Sequence, residues 1–196
     1  IVSLGLVVLT DTLDKSISPL INNFLDQTIG TLSPELKSEK ILARMAQEFK
    51  LNNLFSGVLL ILAAVGAAGF CEEMLLRGMF QGALEKKLNP AAAIAISSFV
   101  FALIHFNPWG GVQIFILAIF LGLVAWRTNS IIPTIIMHGL NNLLVIVFNN
   151  VDPQYLTWYG DEKHIQPYVI VSGLLLTGVG LTGIFNSGTS RTPNPG

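Results

Sequence analysis

Apolar runs broken by short polar joints set the rhythm of this chain. Five apolar segments cover residues 54–84, 91–106, 112–126, 131–148 and 167–184, after a first apolar stretch at 1–9. Each lies near the ~20 residues that an α-helix needs to cross a bilayer core; the shorter ones suit helices packed inside a bundle or under thinned lipid. The joints carry helix-end signals: Asn89-Pro90, Asn107-Pro108 with Gly110-Gly111, and Asn129-Ser130 before Pro133. Between 33 and 49 the pattern changes. There Leu36, Ile41, Leu42, Met45 and Phe49 interleave with Glu35, Lys37, Glu39, Lys40, Arg44 and Glu48. That alternation predicts an amphipathic helix at the membrane surface, with a small packing helix as the plainer alternative. The expected fold class is all-α: a polytopic transmembrane helix bundle of about five to six membrane helices plus one amphipathic surface helix.

The same pattern divides the chain. Residues 1–9 have no basic residues before them and read as the end of a truncated first membrane helix rather than a signal peptide. With the amphipathic segment they form a first region, 1–53. A membrane core follows at 54–148, then a loop and last membrane helix at 149–185. The Ser/Thr/Pro/Gly-rich stretch 186–196 is expected to be a disordered tail.

Composition strengthens the membrane reading. Hydrophobic residues make up 52% of the 196 and charged residues only 12%, against roughly 25% charge in ordinary soluble domains. An integral, multi-pass membrane protein is the expectation, with the lipid bilayer as its first partner. Net charge is −1 and no basic run occurs, so a nucleic-acid partner is not expected. The single cysteine, Cys71, has no internal disulfide partner, and no cysteine spacing typical of zinc sites is present. Charge does not fix the orientation. Lys86, Lys87, Arg127 and Arg191 fall on one side of the expected bundle, but Lys37, Lys40, Arg44 and Lys50 fall on the other.

Against this apolar ground, three polar constellations stand out. The first is Glu72-Glu73 with Arg77. Glu73 and Arg77 are four residues apart, a spacing that lets the two heads meet on one helical face, whereas Glu72 points about 100° away. Snorkelling at an interface is the plain alternative. However, the helical pattern continues through Met79, Phe80 and Leu84, and ionised groups inside a membrane helix cost on the order of 2.5–3.5 kcal/mol each. Pairing or a water-filled cavity is then required. The second is His105, closing the run Phe99 to Phe106, where a helix-capping role is the plain reading. The third is His138 with Asn142, one turn apart beside Gly139, which suits either an interhelical hydrogen bond or a site. Their combined cost on a lipid-facing surface argues that all three converge inside the bundle.

These residues resemble the CPBP family, the CAAX proteases and bacteriocin-processing enzymes also called Abi proteins. The family pattern E-E-x-x-x-R, F-x-x-x-H and H-x-x-x-N is met in order by Glu72-Glu73 with Arg77, Phe101 with His105, and His138 with Asn142. The resemblance covers about 54–148. It implies an intramembrane endopeptidase acting on a peptide or lipidated protein substrate. In that picture Glu72 is the general base that activates water, His105 orients the water, His138 and Asn142 donate to the oxyanion, and Glu73 with Arg77 gives support. Cofactor use stays open. A divalent metal such as zinc would take Glu72, His105 and His138 as ligands, while a metal-free glutamate mechanism is favoured slightly because Asn142 is a poor zinc ligand. A non-catalytic scaffold, immunity or partner protein of the same fold is the main alternative. An ion or proton pathway is a further one, though no repeated or broken helices point to a transporter.

Overall fold

The computed structural model describes residues 1–161 and 163–187; Glu162 and residues 188–196, which include most of the expected tail, lie outside the described residues. Seven helices carry the described chain: α1 Val2–Thr28, α2 Ser38–Glu48, α3 Leu54–Leu84, α4 Pro90–Ile104, α5 Gly111–Thr128, α6 Ile132–Asn150 and α7 Pro167–Ser187. Short 3₁₀ turns lie at Ile29–Thr31, Pro34–Leu36 and Pro153–Leu156. No strand occurs among the described residues. Helices α3, α5, α6 and α7 are long and apolar enough to cross a membrane, while α4, of 15 residues, is shorter. Their outer faces expose Leu54, Phe55, Leu62, Phe70, Met79, Leu174, Leu175 and Val179. So much apolar surface is at home in lipid rather than water. The chain is a helical membrane bundle.

Local sequence explains the boundaries. Asn53 caps α3 through its side chain on Ser56 N, and the Ser56 hydroxyl caps it back. Asn89 accepts from Ala92 N at the start of α4, with Pro90 in the first turn. Asn129 closes α5 in a left-handed conformation, φ 50°.

Two findings differ from the pattern of hydropathy. The first helix does not stop where the apolar run stops at Leu9; α1 continues to Thr28 through Asp11, Asp14, Lys15 and Pro19. Hydrogen bonding satisfies the polar side chains there. Thr10, Thr12 and Ser16 bond back to carbonyls four residues earlier, and the polar middle is tied to the 153–165 loop by Tyr159 Oη donating to Asp11 at 2.9 Å and Lys15 Nζ donating to Asp161 O at 2.6 Å. Likewise, α7 runs through Asn186 to Ser187, so the helix enters the stretch expected as tail.

Packing sets the helices around a shared centre. The N-terminal part of α1 lies antiparallel on α7 at very short range: a Cβ on Gly5 would fall 2.5 Å from Gly173 O. Val2 and Leu6 of α1, Leu117, Leu121 and Val124 of α5, and Met137 of α6 form one buried apolar cluster. A second, smaller one joins Leu76, Phe101 and Ala118 of α3, α4 and α5. Between α3 and α6 the backbones themselves approach. A Cβ on Gly139 would meet Val65 O at 3.1 Å, and one on Gly69 would meet Gly139 N at 3.5 Å. That closeness brings residues 72–73 of α3 opposite residue 138 of α6.

Candidate active site

Helix α3 carries both acids on a regular α-helical stretch, Gly69–Glu73, set between two stretches of wider π-type turn, Leu62–Ala68 and Met74–Gln81. Such turns are uncommon and concentrate at functional sites; where the pairing switches from four residues to five, a carbonyl becomes available to another donor. Side chains of neighbouring helices use carbonyls in both stretches. Asn142 Nδ2 of α6 donates to Ala64 O at 2.8 Å, and Ser97 Oγ of α4 donates to Leu76 O at 3.2 Å.

The two glutamates face different surroundings. Glu73 is wholly buried, and its Oε1 accepts from Arg77 Nη1 at 2.9 Å and from His138 Nδ1 at 3.0 Å. Arg77, equally buried, donates through Nη2 to Ala118 O of α5 at 3.2 Å, and its guanidinium lies 4.2 Å from the centre of the Phe101 ring. An acid and a base buried at this depth persist only because each is paired and hydrogen-bonded. Glu72 keeps 30% of its side chain exposed. Its Oε2, which has no hydrogen-bond partner, lies 3.7 Å from His105 Nε2 and 4.0 Å from His138 Nε2. Those separations exceed a direct hydrogen bond.

Backbone and ring contacts aim both imidazoles. His105 ends α4, where Phe106 turns into the left-handed region at φ 46° and Asn107-Pro108 prevent continuation. Its Nδ1 bonds Phe101 O at 2.7 Å, so that nitrogen carries the proton and Nε2 is presented to Glu72. In His138 the Nδ1 contact to Glu73 does the same work. Phe101 braces the arrangement, with ring centroids 4.6 Å from His105 and 5.7 Å from His138. Beside His105, between the end of α4 and the start of α5, lies an apolar cavity of about 820 Å³ lined by Phe99, Leu103, Ile104, Phe106, Val112 and Phe115.

Glu72, His105 and His138 therefore meet from three helices, and Glu73 with Arg77 forms the expected pair. Asn142 lies one turn beyond His138 on α6 and is bound to α3 through its amide. The metal set named from sequence does not fit this geometry. Zinc ligands held at 2.0–2.1 Å in a tetrahedron sit roughly 3.3 Å from one another, closer than either Glu72 separation, and no three His, Cys, Asp or Glu side chains among the described residues are grouped to hold a metal ion. Sequence reading missed the role of Phe101 as a brace and passed over Gln81. The latter was visible as a polar residue continuing the four-residue spacing of Glu73 and Arg77.

Fold and cluster together define a membrane-embedded helical bundle whose buried centre joins carboxylates and imidazoles. Residues 54–144 match the model of the family described as type II CAAX prenyl endopeptidase Rce1-like. That match supports assigning this stretch to the CPBP and CAAX protease family. No curated protein and no solved structure matches the chain.

Proposed function

We propose that this protein is an intramembrane endopeptidase that hydrolyses a peptide bond of a membrane-associated or lipidated protein. One observation carries the reading: Glu72, a partly exposed side chain whose Oε2 has no hydrogen-bond partner, faces the Nε2 atoms of two histidines from other helices at 3.7 and 4.0 Å. Glu72 takes a proton from water as the oxygen attacks the scissile carbonyl carbon. His105 orients that water through Nε2. His138, its ring held through Nδ1 by Glu73, turns Nε2 to the oxyanion as a donor, and the second amide hydrogen of Asn142 supplies a further bond. When the tetrahedral intermediate collapses, the C–N bond breaks and the proton on Glu72 passes to the leaving amine. Positioned proton transfer contributes roughly 10²–10⁴-fold, and one oxyanion donor about 10²–10³-fold. The apolar cavity beside His105 suits the lipid chain of a lipidated substrate.

The non-catalytic alternative explains less. Interhelical bonding accounts for Glu73, Arg77 and His138, all buried, but has no use for Glu72 and His105, which keep 30% and 29% of their side chains exposed. Cleavage of a lipidated peptide by the detergent-purified protein tests the reading. Wild type should cleave, while Glu72→Gln and His138→Ala should not although both remain folded. Persistent cleavage by Glu72→Gln overturns the proposal.

A further inference from the structure

Gln81 lies wholly buried on α3, eight residues beyond Glu73. A primary amide at this depth requires partners, and it has them on one side only. Its Nε2 donates to Gly122 O of α5 at 2.9 Å and to Glu85 Oε1 at 2.8 Å, while Oε1 has no hydrogen-bond partner. The bond to Gly122 repeats, one turn along both helices, the bond from Arg77 to Ala118 O. Two rungs spaced by four residues thus join α3 to the carbonyls of α5. Gly122 makes the second rung possible, because a Cβ there would fall 2.8 Å from Gln81 Oε1 and 3.0 Å from Ile94 Cγ2. Arg77, Glu73 and His138 follow from the first rung in an unbroken series of hydrogen bonds.

We propose that Gln81 is a positioning residue for the active site, fixing with Gly122 the register of α3 on α5 so that Arg77 holds Glu73, and Glu73 holds the His138 ring. The kinetic part of the idea rests on the endopeptidase reading; the structural part does not. Gln81 touches no reacting group and acts through Arg77. Replacing it by Leu removes the rung at nearly constant volume, and Gly122→Ala displaces the flexible amide head instead.

The test compares wild type, Gln81→Leu and Gly122→Ala as full chains in detergent, by cleavage of a lipidated peptide and by the NMR signals of nitrogen-labelled histidine. Exposed His164 serves as the internal reference. In both variants kcat should fall on the order of tenfold with KM changed by less than about twofold, and the His138 signals should move while those of His164 stay. A residue that merely packs would lower thermal stability and leave the His138 signals and the kcat-to-KM split in place; that result overturns the proposal. Should Gln81→Leu fail to fold, Gly122→Ala decides alone. If wild type cleaves nothing, the endopeptidase reading fails, while the His138 signals still decide the role of Gln81.

Discussion

Glu73 and His138, 65 residues apart in the chain, are joined by a 3.0 Å hydrogen bond across the α3–α6 contact. The same Glu73 oxygen accepts from Arg77, and all three side chains are buried. Removing one member of a buried charged network leaves the others without compensation, at a cost of about 3–5 kcal/mol. Glu73→Gln and Arg77→Met should therefore lower stability by that order, measured by denaturant unfolding in detergent. Glu72→Gln should change it by less than about 1 kcal/mol, because that side chain is partly exposed and hydrogen-bonds to none of the three. Equal destabilisation by the two Gln variants would show that the acids share one structural role.

In the proposed mechanism the Asn142 amide has two partners. One hydrogen is given to Ala64 O, and the proposal assigns the other to the oxyanion. Asn142→Ala should reduce kcat about 10²–10³-fold with little change in KM, as expected for a group that acts only in the transition state. Asn142→Asp keeps the size but replaces the donating amide by an acceptor, and should be at least as inactive. Steady-state cleavage kinetics check this. A change confined to KM would place Asn142 in substrate binding instead.

Side-chain chemistry at fixed spacing was legible in the sequence; backbone chemistry was not. Glu72, His105 and His138 announce themselves because a polar head in an apolar run needs a partner, and Glu73 with Arg77 has the i, i+4 spacing of a helical pair. The carbonyls of Ala64, Ala118 and Gly122 give no such sign, since every residue has one. Their availability depends on where α3 widens its turns and how closely α5 lies. The hydropathy of 1–9 likewise marks where the apolar face ends but not where α1 ends; beyond it the polar side chains of α1 find partners in its own carbonyls and in Tyr159 and Asp161.

Helix α2 is tied to the loop that follows His105. Ser38 N donates to Asp26 Oδ1 at 2.6 Å, Ser38 Oγ donates to Asn22 O at 3.3 Å, and Trp109 Nε1 donates to Ser38 Oγ at 2.9 Å. Bonds from Ser38, above all its backbone N–H, hold the Asp26 carboxyl below its ordinary value of 3.8. A lowered folded-state value means that the ionised form favours docking: the contribution is full above the unfolded value and is lost as pH falls through the folded one. In a Trp126→Phe, Trp158→Phe background, Trp109 emission should stay constant from neutral pH to about pH 4 and shift below it as α2 releases. Asp26→Asn keeps an acceptor oxygen but cannot titrate, so it should abolish that acid transition. An unchanged transition in Asp26→Asn would assign it to another group. Glu35 is the first to examine, because it pairs with Lys40 and Arg44 and is itself held below the usual carboxylate range, chiefly by its hydrogen bond from Lys40.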